Sequence, residues 1–173
     1  MPSEMKRPDT NRILRALKDF QRDTVDYAFK RMYEDDPPAR RFLVADEVGL
    51  GKTFVAKGII ARTIDYLWER DPDLRIDIVY ICSNLSIARQ NINRLNLTGD
   101  KDSELPDRIT MLPRYIRNLK KRKLNFVSFT PGTSFDLRSS YGRADERALL
   151  YNLLPDNWKE DTRGVISVLT GPA

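Results

Sequence analysis

Phe42-Leu43-Val44-Ala45-Asp46-Glu47-Val48-Gly49-Leu50-Gly51-Lys52-Thr53 runs from a short apolar stretch through an acidic pair and two glycines into Lys-Thr. Phe42 to Ala45 has the pattern of a strand buried on both faces in a parallel sheet. Beyond Thr53, the residues Val55, Ile59, Ile60, Thr63, Ile64, Leu67 and Trp68 recur on one face of a helix that reaches Arg70, and Asp71-Pro72-Asp73 closes it. A loop between a buried strand and a helix gathers backbone N–H groups at the positive end of the helix, and glycines let that backbone approach oxygen atoms closely. Gly49 and Gly51 meet this need. The segment Asp46 to Thr53 therefore reads as a phosphate-binding loop. Lys52 would set its ammonium on the β- and γ-phosphates of ATP, and the Thr53 hydroxyl would ligate Mg2+. The strict pattern G-x-x-x-x-G-K-[ST] fails at its first position, which is Asp46. The alternative is a glycine-rich strand-to-helix turn that holds no ligand.

Working outward, Phe20, Val25, Ala28, Phe29 and Met32 lie at helical spacing, and Asp35-Asp36-Pro37-Pro38 ends that helix in a surface loop. Ile76 to Cys82 reads as a second strand. Ser86 to Leu95 reads as an amphipathic helix with a serine cap. A second loop falls at Thr98 to Ser103. Arg108 to Leu112 and Leu124 to Phe129 are expected as strands, Asp145 to Leu154 as a helix, and Val165 to Leu169 as an apolar end segment. Strand, helix, strand, helix with short links predicts an α/β fold: a parallel sheet covered by helices.

Composition narrows the function. A chain of 173 residues, 40% hydrophobic and 32% charged, has material for one compact core and excludes fibrous or wholly disordered classes. No apolar run approaches the roughly 20 residues of a membrane span, and the N-terminus lacks the apolar stretch of a signal peptide, which points to a cytoplasmic protein. With no histidine and a single cysteine, Cys82, neither a zinc cage, an internal disulfide nor a histidine general base can be built. The net charge of +5 is uneven: residues 1 to 100 carry 17 Lys/Arg against 16 Asp/Glu, and residues 101 to 173 carry 13 against 9. Six of the ten residues from Arg114 to Lys123 are basic. With Tyr115 among them they suit a phosphate track; such a run also serves as a solvated face.

Asp46-Glu47-Val48-Gly49-Leu50-Gly51-Lys52-Thr53 resembles the form the phosphate loop takes in the Swi/Snf-like branch of superfamily two helicases and DNA translocases. Leu17 to Val25 resembles the adenine-side element of those enzymes, and the resemblance implies that Gln21 reads the adenine edge, with Phe20 either in the core or against the base. Tyr80 to Asn91 occupies the place of the motif that touches the nucleic-acid backbone. Ser83, Asn84 and Ser86 would then contact phosphates, although family members often carry a proline where Ser83 or Asn84 stands; an ordinary strand-to-helix loop is the other reading. Asn125 to Phe135 resembles a Thr-Pro-Gly element, implying strand contacts from Thr130, Gly132, Thr133 and Ser134, or else a type II turn centred on Pro131 and Gly132.

The resemblance covers about residues 15 to 135, after an extension of residues 1 to 14, and implies a P-loop NTPase fold, an incomplete RecA-like lobe. Lys52 and Thr53 would be its catalytic residues. Gln21, Asp46, Glu47, Val48, Gly49, Leu50, Gly51, Lys52 and Thr53 would hold ATP and Mg2+. Ser83, Asn84, Ser86, Thr130, Gly132, Thr133, Lys120, Lys121, Arg122 and Lys123 would face nucleic acid, DNA rather than RNA. An acidic pair that orients the hydrolytic water is expected at the end of a buried strand. Asp145-Glu146 lacks such a strand and reads as the acidic start of a helix. With the second lobe absent, the chain is expected to be an N-terminal fragment that binds ATP without efficient turnover. Two alternatives stand beside this reading: a non-catalytic nucleic-acid or protein interaction module, and a P-loop kinase.

Overall fold

The computed structural model describes residues 7–95, 97, 109–131, 144–159, 163–164 and 167. In chain order its elements are α1 (Thr10–Arg15), α2 (Asp19–Phe29) running into a π-helical turn (Lys30–Glu34), α3 (Lys52–Arg70), β1 (Ile76–Ile81), α4 (Leu85–Leu95), a 3-10 turn (Ile109–Met111), α5 (Leu112–Lys121), β2 (Leu124–Phe129), α6 (Ala144–Leu153) and α7 (Asp156–Lys159). The described fold is thus mixed α/β.

Helix α3 is the spine. Its first half packs on α1 and α2 through Val55, which joins Leu17 and Val25 in one apolar cluster flanked by Leu14, Val44 and Ile59. Its second half supplies Ile64 and Trp68 to another cluster, completed by Ile76 of β1 and flanked by Ile78, Leu74 and Leu124. The helix can serve both sides because small residues sit where its neighbours come close. A Cβ on Gly58 would lie 2.8 Å from Val25 Cγ2 and 3.0 Å from Leu17 Cδ1. Ala61 is buried beside it, and its carbonyl accepts from the Thr10 hydroxyl. From Arg7 onward the expected N-terminal extension is docked on α3: Arg7 also pairs with Asp65 at 2.8 Å.

The sheet among the described residues has two strands. β1 and β2 pair in parallel, with Ile76 opposite Leu124 and Ile81 opposite Phe129. Along β1, Ile76, Ile78 and Tyr80 turn inward, whereas Val79 and Ile81 are 55% and 58% exposed. Among the described residues, helices cover the face of β1 that carries Ile76 and Ile78.

Two expected strands are corrected. Phe42 to Ala45 pairs with no strand among the described residues: the segment runs between its neighbours outside helix and strand, with Phe42 and Val44 half-buried and Leu43 84% exposed. Its anchors are side chains. Phe42 meets the Tyr27 ring edge-on at 5.9 Å, and Val44 joins the Leu17 cluster. Of Arg108 to Leu112, the described residues form the 3-10 turn and the start of α5, where Pro113 sits in the first helical turn and needs no intrahelical hydrogen-bond acceptor. Val165 to Leu169, apart from Ser167, lies outside the described residues, as do the Thr98 to Ser103 loop and Gly132 to Phe135.

The remaining elements form within a few residues of their expected bounds. α2 yields earlier than expected, at Phe29, where the chain widens into the π-helical turn before the cis Asp36-Pro37 bond. There the Phe29 ring stacks on Tyr33 at 4.9 Å and also meets the Arg62 guanidinium, 4.2 Å from its centroid.

Candidate functional site: the loop ahead of helix α3

Helix α3 begins at Lys52 with Gly51 as its cap, and no side chain caps its first turn. The N–H groups of Lys52 and Thr53 thus have no acceptor within the helix, since the first intrahelical bonds run to the Gly51 carbonyl from Phe54 at 2.8 Å and Val55 at 3.3 Å. At nineteen residues, α3 brings a full helix dipole to this end. Gly49 and Gly51 both take the left-handed region, with φ of 95° and 81°. The loop is open to solvent at its Gly49 end: Val48 is 99% exposed, and a Cβ on Gly49 would meet nothing within 4 Å.

Lys52 folds back into the curl, its Nζ donating to the carbonyls of Asp46 at 2.7 Å and Glu47 at 2.9 Å. The ammonium thereby stays inside the loop. Asp46 is half-buried and Glu47 exposed.

Gln21 is the anchor. It is buried in the first turn of α2, accepts at Oε1 from the Lys18 N–H at 3.1 Å, and donates from Nε2 to the Leu50 carbonyl at 2.9 Å. A side chain at residue 51 has no room, because its Cβ would lie 2.6 Å from Gln21 Nε2. The family resemblance implies an adenine contact for Gln21; in the structure it ties α2 to the loop. One N–H and one oxygen lone pair of the amide remain uncommitted by these two bonds. Neighbouring Phe20 is exposed, which removes it from the core.

On the far side of the loop, the Thr53 hydroxyl donates to Asn91 Oδ1 of α4 at 3.4 Å, and Asn91 Nδ2 donates to the Tyr80 hydroxyl of β1 at 2.8 Å. Burial pushes the Tyr80 phenol above its ordinary pKa, and the Asn91 N–H opposes this by stabilising the phenolate. Cys82 adds to the upward push. Asn91 went unnoticed as a site residue in the sequence, where it looked like one more polar position on an amphipathic helix.

Asn84 caps α4: its Oδ1 accepts from the N–H groups of Ser86 at 2.9 Å and Ile87 at 3.2 Å, and from the Ser86 hydroxyl at 2.6 Å. The cap is therefore Asn84, not Ser86. Ser83 and Ser86 are exposed, as is Asn84. Thr130, at the end of β2, is 2% exposed, so a nucleic-acid strand would not reach it without rearrangement. Gly132 and Thr133 lie outside the described residues.

The basic block runs through α5 from Arg114 to Lys121, with Arg122 as its C-cap and Lys123 just beyond. Arg114, Arg117 and Lys121 recur on one exposed face, with Lys120 beside them, and half-buried Tyr115 and Leu119 take the other. Lys123 is committed to Asp73 at 2.5 Å, an exposed contact that holds the Asp73 carboxyl below its ordinary pKa. Asn125 ties down the C-terminal end of the helix, donating from Nδ2 to the carbonyls of Leu119 at 3.0 Å and Arg122 at 3.3 Å. Asp145 and Glu146 stand in the first turn of α6, as the sequence suggested; Glu146 is also buried, accepting a hydrogen bond from Thr110.

Among the described residues no three Asp, Glu, His or Cys side chains gather into a metal-holding group, and no helix is long and apolar enough to cross a membrane. No protein-family model, curated protein or solved structure matches the chain.

Proposed function

We propose that the chain is the ATP-binding portion of a nucleic-acid-dependent ATPase of the Swi/Snf-like helicase and translocase type, with Asp46 to Thr53 as its phosphate loop. One observation carries the reading. At the start of α3 two glycines take positive φ and Lys52 is folded over the carbonyls of its own loop, beside N–H groups that lack intrahelical acceptors. Oxygens of a triphosphate would replace those carbonyls on the ammonium and take up the helix-end N–H groups. The Thr53 hydroxyl gives its proton to Asn91 and keeps its lone pairs, which suits a ligand of Mg2+. Mg2+ commonly takes only one or two protein ligands and completes its shell with phosphate oxygens and water. Bound MgATP supplies the γ-phosphoryl group and the metal's charge; the chain supplies the cradle.

The spare N–H and lone pair of Gln21 can still meet an adenine edge while its other atoms hold Lys18 and Leu50. Glu146 is buried against Thr110 in the start of a helix, so the proposed activity of this chain alone is nucleotide binding with little turnover. A nucleic-acid partner is supported by the exposed basic face of α5, and that contact would be electrostatic and weakened by salt.

The test is titration with a fluorescent ATP analogue and Mg2+, comparing native chain and Lys52→Ala while phosphate release is followed with and without DNA. A charge-assisted hydrogen bond is worth about 1.5–3 kcal/mol, so the substitution should weaken binding roughly ten- to hundredfold. Equal binding by both proteins, or none by the native chain, would end the phosphate-loop reading. Robust DNA-stimulated release would overturn the expectation of little turnover.

A further inference from the structure

We infer that Asn91 is a positioning residue of the phosphate loop, which takes up the Thr53 hydroxyl proton so that the oxygen's lone pairs would be available to Mg2+. The inference rests on the nucleotide-binding reading and deepens it. A free threonine hydroxyl rotates, and it has one proton and two lone pairs to distribute. Thr53 sits in the first turn of α3, half-buried, and its proton goes to Asn91 Oδ1 at 3.4 Å. That bond commits the proton to Asn91 and leaves the lone pairs available to a cation.

Asn91 is itself tied to the sheet: its Nδ2 donates to the Tyr80 hydroxyl at 2.8 Å, and in that arrangement its Oδ1 faces Thr53. Tyr80 in turn belongs to β1, which is fixed by its ladder to β2. The path from the loop therefore ends on a sheet, and it passes through α4, which packs on both α3 and β1. Partners of this kind, one bond removed from a metal, commonly change metal affinity by about 10–100-fold when they are removed.

The experiment measures the affinity of the fluorescent ATP analogue twice for each protein, in EDTA and in Mg2+. The ratio reports what the metal contributes. For Asn91→Ala the expectation is a ratio lowered by about tenfold, with the EDTA affinity within twofold of native. Asn91→Asp keeps the acceptor oxygen and should retain most of the ratio, while Tyr80→Phe should lose part of it. Circular dichroism checks that each variant is folded. Should Asn91→Ala not fold, Tyr80→Phe carries the decision: a native ratio in that variant overturns the inference. An equal loss in EDTA and Mg2+ would assign Asn91 to packing alone, and an unchanged ratio would show that Thr53 orients itself; either refutes the inference and leaves the phosphate loop standing. A native chain that binds no analogue, or binding indifferent to Lys52→Ala, removes the loop reading and this inference with it.

Discussion

Phe42–Ala45 and Ile76–Ile81 are both short stretches rich in apolar residues, and only the second, which carries Asp77 on its exposed face, becomes a strand. Ile76 to Ile81 finds a partner: Leu124 to Phe129 lies alongside in register, and Trp68 and Ile64 of α3 back its inner face. Phe42 to Ala45 has no ladder among the described residues. It is held at two points by Phe42 on Tyr27 and Val44 on the Leu17 cluster. Hydrophobicity marks a candidate strand in both places. Pairing, which depends on residues far along the chain, decides which of them is a strand. The functional consequence follows, because the loop entered from the unpaired run takes its register from side-chain anchors rather than from a sheet.

The largest effect should come from removing the support of the paired run. Trp68→Ala opens a cavity under β1 and strips the Leu74 carbonyl of the indole N–H that donates to it at 2.8 Å. A loss of about 3–5 kcal/mol is expected in chemical denaturation. Phe42→Ala removes only a half-buried ring and one edge-on aromatic contact worth about 0.5–1.5 kcal/mol beyond its burial. Its effect should be clearly smaller, and hydrogen exchange should quicken around the loop before the sheet. Equal destabilisation by the two would mean that the unpaired run is as much a part of the core as the strand.

Within the loop, Gly51→Ala and Gly49→Ala sharpen the point. Both residues sit at positive φ, where a side chain costs about 1–2 kcal/mol. Only at Gly51 would the new methyl also strike Gln21, the atom bonded to Leu50. Gly51→Ala should therefore cost more stability and weaken binding of the ATP analogue further than Gly49→Ala does. Matching losses would show that Gln21 yields freely and does not anchor the loop.

The helices were legible because their signals are local. α3 and α4 follow apolar spacing and β2 spans the residues read for it, each within a residue or so. What the sequence hid was set by distant contacts. Gly58 and Ala61 gave no apolar signal, yet they are buried because α1 and α2 need close approach there. Gln21 was noticed for its chemistry and turned out to tie two elements together. Arg108 to Leu112 offered β-branched and apolar residues, but Pro113 favours the first turn of a helix. For the loop itself, the glycines that a left-handed turn requires were plain in the sequence. Asn91 was not, since nothing in the local pattern says that α4 would bring it to Thr53.

The smallest effect expected lies at the end of the paired run and depends on pH. Tyr80 is half-buried on β1, and burial raises its pKa above the ordinary value of about 10. The folded chain therefore keeps the phenolic proton at a pH where the unfolded chain has begun to release it. Stability from this source is fully present below about pH 10 and is lost as the pH rises through the folded-state pKa. Tyr80→Phe carries no proton to lose, so its stability should decline less steeply above pH 10 than that of the native chain, while the two run parallel in neutral solution. Asn91→Ala should act in the opposite sense on the phenol itself: removing the N–H that stabilises the phenolate should move the Tyr80 ultraviolet titration to higher pH. Were the titration unmoved, the contact between α4 and β1 would be too weak in solution to orient Asn91, and the anchoring of the loop would have to come from α2 alone.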